Sequence, residues 1–187
     1  MENASIDTAH LPNTLADGDL AYGCIFCRTG KEAVIADKLM GKFSSLRALV
    51  PQKVLYVREN KRLIEKVSIL FPGYIFVEAP ISCSIREISR EDGVFKVLTS
   101  SDEEWYLSGN DKEFAKKLFE IGGTVGISKV YYEGDRIRAV SGLLCDYEGQ
   151  IVRVDRRKSK AQVRFHVGLR EVLVWLGFEE IDRPSGR

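Results

Sequence analysis

The sequence is poor in the residues that most often bind metals or carry redox chemistry. It has two histidines, His10 and His166, and four cysteines. Cys24 and Cys27 have the C-x-x-C spacing of metal and redox sites, but they lie in a strand-like segment, where residues three apart point to opposite faces. No second C-x-x-C motif follows. We therefore expect buried structural thiols and no metal or cofactor, with a zinc site or a thiol enzyme as the weaker alternative.

Long hydrophobic segments are also missing. No stretch approaches the roughly 18 apolar residues that a membrane-spanning helix requires. Residues 1–19 contain four acidic residues and no lysine or arginine, so they lack the basic start of a secretory signal. We expect them to form a flexible acidic leader. These absences predict a cytoplasmic protein with reduced cysteines and no membrane partner.

Known catalytic motifs are missing too. The sequence contains no Gly-rich phosphate loop, no nucleophile elbow and no carboxylate pair with a recognisable spacing. Hydrophobic residues make up 44% of the chain and charged residues 29%, as in an ordinary globular protein. These features favour a protein that is not an enzyme and that has one large or two small domains.

Helix-like and strand-like patterns alternate in residues 20–118. Their order, β-α-β-β-β-α-β-α, predicts an α+β sandwich in which an antiparallel-rich sheet carries helices on one face. Thr29 and Glu32 have the spacing of a capping box at the start of the first helix. Pro72 and Gly73 interrupt an extended run, because proline lacks a backbone donor and glycine permits unusual torsions. The sheet should bend there and turn the neighbouring aromatic side chains toward a surface.

Short strand-like segments dominate the rest of the chain. Residues 122–129 contain three glycines, which predicts a linker over 119–131. In residues 132–187 the strand-like segments are separated by glycines, and Gly177 separates the last two. This spacing predicts a small, five-stranded, SH3-like β-barrel.

A formal net charge of only +1 hides a basic C-terminal half. Residues 134–175 hold nine cations against five acidic residues. Four of these cations fall within residues 156–160, at the tip of a predicted hairpin. Strand alternation places Arg153 and Arg164 on the outer face beside that tip. A solvated surface is one interpretation, and a binding site for a polyanion is the other.

Two segments of the sequence resemble the NusG family of transcription elongation factors. YEGDRIRAVSGLLCDYEGQIVRVD, at 132–155, resembles the KOW motif of these proteins. LFPGYIFVE, at 70–78, together with CIFCRTGKE upstream, resembles their N-terminal domain. The resemblance extends over residues 20–182 in the family's order and spacing. It implies an N-terminal NusG domain at 20–118 and a KOW barrel at 132–187.

Two positions depart from the family pattern. Leu143 stands where the family usually has proline, and Leu144 where the housekeeping factor usually has an aromatic residue. That aromatic loop contacts a ribosomal protein and a termination factor, so those partners are in doubt here. The basic stretch VDRRKSKA, at 154–161, is more similar to the LoaP-type paralogues, which are specialised antiterminators with an RNA-binding KOW domain. The resemblance therefore favours a LoaP-like factor, with a housekeeping elongation factor as the alternative.

The family resemblance implies that the N-terminal domain binds the clamp helices of RNA polymerase in an apolar depression. An amphipathic helix seated on an apolar cleft is a common recognition mode. The candidate residues for this contact are Leu70, Phe71, Tyr74, Ile85 and Phe95. In the alternative interpretation, these side chains only fill the core of the domain.

The KOW barrel is expected to bind nascent RNA as a hairpin whose shape and loop bases can be recognised. The candidate RNA-binding residues are Arg136, Arg138, Arg153, Arg156, Arg157, Lys158, Lys160, Arg164 and, for base stacking, Tyr147. In the alternative family role, the barrel contacts ribosomal or termination proteins. The expected function is processive antitermination by a monomeric factor that links RNA polymerase to its transcript.

A third basic group lies at the tip of the hairpin predicted around RENK, at 58–61. Arg58, Lys61 and Arg62 are close together in the sequence there. A solvated turn is the preferred interpretation, and contact with upstream duplex DNA beside the polymerase is the alternative.

Overall fold

The structure is a computed structural model. It describes residues 20–60, 62–98, 105–167 and 170–183. The predicted acidic leader at 1–19 and the side chain of Lys61 lie outside the described residues.

Strands and helices alternate in the N-terminal part in the predicted order, except that four strands and not three lie between the first two helices. In chain order its elements are β1 (Leu20–Cys27), α1 (Glu32–Lys42), β2 (Arg47–Leu49), β3 (Gln52–Glu59), β4 (Arg62–Ile69), β5 (Tyr74–Pro80), α2 (Ile85–Ile88), β6 (Val94–Leu98) and α3 (Gly109–Glu120).

A four-stranded antiparallel sheet forms the centre of this part, in the order β2-β5-β1-β6. In the β1–β5 pair, Cys24 lies opposite Phe76. Strand alternation separates two faces of the sheet. One face packs on α1 through Ile25 and Ile75, and the other carries Cys24 and Phe76 into a cluster with α3. Helices therefore cover both faces, and the prediction of helices on one face is wrong. The central strands are buried along most of their length as a result.

The predicted hairpin around RENK is confirmed as β3 and β4. The two strands pair from Gln52 with Ile69 to Glu59 with Arg62, and Asn60 at the turn has a positive φ of 48°. They belong to a second sheet, in the order β4-β3-β7, in which β7 (Thr124–Val125) pairs with β3.

The C-terminal part is a curled, five-stranded sheet. It follows β7, and its elements are β8 (Ser128–Glu133), β9 (Arg136–Ser141), α4 (Leu144–Tyr147), β10 (Ile151–Asp155), β11 (Lys160–Val167) and β12 (Arg170–Glu180).

The strand order of this barrel is β10-β11-β12-β8-β9. All its pairs are antiparallel except β12 with β8, which is parallel. Alternate side chains of β11 point inward, among them Val163 and Phe165. The predicted α+β class and the predicted five-stranded barrel are therefore confirmed.

The segment predicted as a linker, 119–131, contains regular structure. Thr124–Val125 pairs in parallel with the start of β3, and the first barrel strand already begins at Ser128. Local composition does not reveal this pairing, because the partner strand lies far away in the sequence.

Gly177 does not separate two strands, contrary to the prediction, but lies inside β12. A Cβ at this position would lie 2.8 Å from the carbonyl oxygen of Val54 and 2.5 Å from Cδ1 of Ile127. Both distances are too short for a side chain. Glycine is therefore needed here because the barrel packs directly against β3.

No helix in the described part of the chain combines the length and the apolar character that crossing a membrane requires.

Candidate functional site

The bend predicted at Pro72 and Gly73 depends on one unusual backbone conformation. Gly73 has a φ of +85°, in the left-handed region that side chains disfavour. Its N–H donates a hydrogen bond to Oε1 of Glu32 at 2.7 Å, and its carbonyl accepts one from the N–H of Cys27 at 2.8 Å. The predicted capping box of Thr29 and Glu32 is wrong, because α1 has no side-chain cap and the buried Glu32 carboxylate holds the bend instead.

Three of the predicted polymerase contacts lie together at this bend. Leu70, Phe71 and Tyr74 are 1%, 0% and 7% exposed. The ring of Phe71 lies 6.0 Å from that of Phe76 and 5.9 Å from that of Phe114. We call Phe71, Tyr74, Phe76 and Phe114 the aromatic cluster.

The barrel covers the aromatic cluster. The ring of Phe165, on β11, lies 5.4 Å from the ring of Phe71 and 5.3 Å from that of Phe114. Tyr147 also packs on Phe165, with 4.6 Å between the ring centres. Phe71 therefore faces the barrel and not solvent, and we call this the closed arrangement.

The two other predicted polymerase contacts, Ile85 and Phe95, are not part of the covered aromatic cluster. Phe95 is 59% exposed, and its ring lies 5.6 Å from that of Phe26. Ile85 begins α2, but its side chain lies outside the description. Sequence analysis missed Phe26, whose ring lies 5.4 Å from that of Tyr74. Its alternation with Cys24 along β1 is the signal that places it on this face.

Local hydrogen bonds fix the conformation of the basic turn at 156–160. Arg156–Lys158 forms one turn of 3-10 helix, and the Asp155 carboxylate accepts a hydrogen bond from the N–H of Lys158 at 3.0 Å. Ser159 ends the turn with a positive φ of 48°. The sequence thus presents successive exposed cations on a defined loop.

Acidic side chains neutralise part of the predicted RNA-binding set. Three of the nine candidates are in ion pairs with acids of the barrel. These pairs are Arg138 with Glu133 at 3.0 Å and with Glu148 at 3.3 Å, Arg156 with Glu180 at 2.8 Å, and Arg164 with Glu171 at 3.3 Å. The basic surface is therefore narrower than the sequence suggests.

The remaining cations of the turn are not neutralised in this way. Among the described residues, Arg157, Lys158 and Lys160 have no acidic partner within ion-pair distance. The ammonium of Lys160 lies 4.4 Å from the ring centre of Trp175, and the guanidinium of Arg153 lies 6.0 Å from it. Positive charge is therefore concentrated at the tip of the turn.

Tyr147 does not lie on the basic surface. Its ring packs against Phe165 and lies 6.0 Å from that of Phe114, in the contact between the barrel and α3. Burial, followed by the nearby Asp146 and Asp111, raises the pKa of Tyr147 to about 12. In the closed arrangement its ring is not available for stacking on an RNA base.

Arg136 lines a hollow of about 520 Å³ between β9 and β10, the two ends of the barrel sheet. Arg138 and Arg153 also line it, together with Glu148. The hollow therefore has mixed charge, unlike the turn.

Arg58, one of the candidate DNA contacts, faces the barrel. It lines a groove of about 340 Å³ whose opposite wall contains Arg157, Lys158 and Lys160. Arg62 begins β4 and is exposed. The structure thus brings together two basic groups that the sequence places in separate domains.

The comparisons with known proteins agree with this architecture. A family model described as "Transcription termination factor nusG" matches residues 21–116, slightly more than half of the chain. The chain belongs to the NusG family.

Three curated relatives of this NusG-family chain carry the name "Transcription termination/antitermination protein NusG". The protein from Borreliella burgdorferi is 27% identical over 143 aligned residues, and the match covers 71% of this chain and 77% of the relative. The protein from Thermus thermophilus is 25% identical, over 72% of this chain and 79% of the relative. The protein from Buchnera aphidicola is 27% identical, over 72% of this chain and 76% of the relative.

A solved structure described as "Domain interaction in Thermotoga maritima NusG" is similar to the NusG-family chain with a TM-score of 0.50. It covers 84% of this chain and 93% of its own, at 18% sequence identity. At this identity the likeness concerns the fold alone.

Two side chains of this NusG-family chain that depart from the family pattern are buried. Leu143 and Leu144 are 5% and 0% exposed. The N–H of Leu144 donates a hydrogen bond to Oγ of Ser128 at 3.2 Å, which ties α4 to β8. This loop therefore offers neither leucine side chain for contact with a partner protein.

The C-x-x-C pair is structural, as predicted. Cys24 and Cys27 are both fully buried. Burial raises the pKa of the Cys27 thiol to about 11 and that of Cys24 well above its usual range. Both thiols are therefore protonated at neutral pH and poor nucleophiles. Among the described residues no cluster of metal-binding side chains occurs.

Proposed function

We propose that this NusG-family chain is a processive antitermination factor of the LoaP-like kind. Its N-terminal domain binds RNA polymerase through the aromatic cluster, and its barrel binds a hairpin in the nascent RNA through the basic turn. The relatives' names support a role in transcription termination or antitermination. Such a factor acts in the cytoplasm and is not an enzyme.

The observation that carries the proposal is the contact between Phe165 and the aromatic cluster. Phe71 is buried between aromatic rings of its own domain and Phe165 of the barrel, in one hydrophobic cluster with Tyr74. When the barrel moves away, Leu70, Phe71 and Tyr74 become part of an apolar surface beside Phe26 and the exposed Phe95. A cleft of this kind suits an amphipathic helix of the polymerase clamp.

Polymerase binding through this surface requires the closed arrangement to open. Phe165 occupies the space next to Phe71 and Phe114 that a clamp helix would fill. The barrel and the polymerase therefore compete for one surface. The barrel, once released, remains tethered nearby, and a short tether gives an effective concentration of about millimolar for its own target.

RNA is favoured over a ribosomal or termination protein as the target of the barrel. Leu143 and Leu144 point into the barrel, so the loop lacks an apolar surface for a protein partner. Arg157 and Lys158 are exposed and form no ion pair with a described residue. Cations of this kind bind phosphates by releasing counterions, and hairpin shape supplies the specificity.

The combined change Arg157→Ala and Lys158→Ala tests RNA binding. We expect the affinity for a hairpin RNA to fall by about tenfold, and the slope of log Kd against log salt to fall by about two, because two phosphate contacts are lost. Filter binding at several salt concentrations measures both quantities.

The control is the pair Arg86→Ala and Arg90→Ala, which removes the same charge from exposed positions of the N-terminal domain. Unchanged affinity and salt slope in the Arg157 and Lys158 variant would show that the basic turn does not bind RNA.

A further inference from the structure

The groove between the two domains is basic on both walls. We call it the interdomain groove. It lies between the β3–β4 hairpin and the basic turn of the barrel. Its lining residues are Leu55, Tyr56, Val57, Arg58, Leu63, Arg157, Lys158 and Lys160.

Lys160, which lines the interdomain groove, lies close enough to Lys53 of the N-terminal domain to affect its pKa. Lys53 lies on β3, and Lys160 begins the barrel strand that follows the basic turn. Burial, followed by the charge of Lys160, lowers the pKa of Lys53. Glu65 and Glu179 are near Tyr56, but neither lines the groove. The positive charge of the two walls is thus brought together, and none of the described lining residues is acidic.

Apolar side chains also line the interdomain groove. They are Leu55, Val57 and Leu63, together with the half-buried Tyr56. Cationic walls suit phosphates, and apolar or aromatic side chains suit sugars and bases. A metabolite anion would not need walls from two domains, whereas a nucleic-acid backbone is long enough to contact both.

We propose that the RNA bound by the basic turn lies across the interdomain groove and also contacts Arg58 of the N-terminal domain. This inference rests on the proposed RNA binding by the barrel. It assigns Arg58 to the same ligand as Arg157 and Lys158.

The contact with Arg58 exists only while the barrel packs on β3. RNA that spans the interdomain groove therefore stabilises the closed arrangement, in which Phe165 covers Phe71. Because coupling between two binding sites is reciprocal, polymerase binding weakens the Arg58 part of the RNA contact by the same factor. The contacts on the basic turn persist when the domains separate.

The change Arg58→Ala in the full chain tests this inference. The probe is a fluorescein-labelled RNA hairpin with a stem of one helical turn, and a DNA hairpin of the same sequence is the second probe. We expect RNA affinity to fall by about three- to tenfold and the salt slope to fall by about one, as for one lost phosphate contact. Arg58→Lys should retain most of the salt slope, because it keeps the charge.

The matched control is Arg90→Ala, which should leave both quantities unchanged. If Arg58→Ala binds RNA like the wild type while the Arg157 and Lys158 variant is weakened, the inference is wrong and the proposed function stands. If neither variant is weakened, RNA binding by the barrel fails as well. If only the DNA hairpin depends on Arg58, the groove is a DNA site and the inference is also overturned.

Discussion

Single residues at the bend show how a local conformation is fixed by distant partners. Gly73 can adopt its positive φ because it lacks a Cβ. Its N–H donates a hydrogen bond to the carboxylate of Glu32, which lies in α1, 41 positions earlier in the sequence. The carboxylate is buried, so its hydrogen bond replaces one that water would otherwise supply. The bend that orients Phe71 thus depends on the start of α1.

Gly73→Ala should destabilise the protein by about 1–3 kcal/mol. The new Cβ would stand in a left-handed conformation, 3.0 Å from Oγ1 of Thr29 and 3.3 Å from the carbonyl oxygen of Cys27. Urea unfolding followed by circular dichroism measures the change. Gly41→Ala is the matched control, because a Cβ there meets nothing within 4 Å inside α1. It should stabilise the helix by about 0.5–1 kcal/mol.

Stability loss confined to Gly41→Ala, or equal effects of the two changes, would contradict a strained bend at Gly73.

Strands and helices were predictable where one side-chain period dominates. The alternation along β11 gives the correct inward set, including Val163 and Phe165. The pattern does not reveal what covers that face. Some of the buried side chains of β11 fill the interior of the barrel, whereas Phe165 packs against Phe71 in the other domain.

The sequence indicates which residues belong to the candidate site, but it does not indicate which other residues they contact. The sequence identifies Phe71 and Tyr74 as special through the Pro-Gly bend, and it identifies the basic turn by charge. It does not show the ion pair of Arg156 with Glu180 or the position of Arg58 opposite Arg157, because these contacts join residues far apart in the chain. Gly177 illustrates the same limit, since its role is set by β3 and not by its flanking residues.

Gly177→Val should separate the barrel from β3. A side chain there would collide with the backbone of Val54, which cannot move without shifting the whole strand. We expect faster amide hydrogen exchange in β3 and around Phe71, and easier proteolysis in 119–131. Hydrogen-exchange mass spectrometry measures the first effect, and limited digestion measures the second.

The control is Gly149→Ala in the barrel, where a Cβ meets nothing within 4 Å. Protection of the barrel's own strands shows that Gly177→Val still folds. Unchanged exchange in β3 with a folded barrel would mean that the domains do not pack through Gly177.

At the scale of the whole molecule, the two candidate binding surfaces have opposite requirements. The aromatic cluster is accessible only after the barrel leaves it, whereas the interdomain groove exists only while the barrel stays. Under the proposed function, one domain contact therefore governs polymerase binding and RNA binding in opposite directions. Any change in that contact should alter the two affinities with opposite sign, because each ligand selects one arrangement.

The ion pair of Lys117 on α3 with Asp146 on α4 crosses this domain contact and allows such a change. Both side chains are partly exposed, so the pair contributes about 1 kcal/mol or less. Lys117→Glu replaces attraction with repulsion and should shift the equilibrium toward the open arrangement. We expect polymerase affinity to rise by about two- to fivefold and hairpin-RNA affinity to fall, both measured by fluorescence anisotropy with the full chain.

The charge swap that combines Lys117→Glu with Asp146→Lys should restore both affinities, because it rebuilds the pair in reverse. Lys112→Glu on the same helix makes the same change of charge and should leave both affinities unaltered, since Lys112 lies outside the pair with Asp146. A rise in polymerase affinity that the swap does not reverse would mean that Lys117 acts by its charge alone. If Lys117→Glu changed neither affinity, the closed arrangement would not control access to the aromatic cluster.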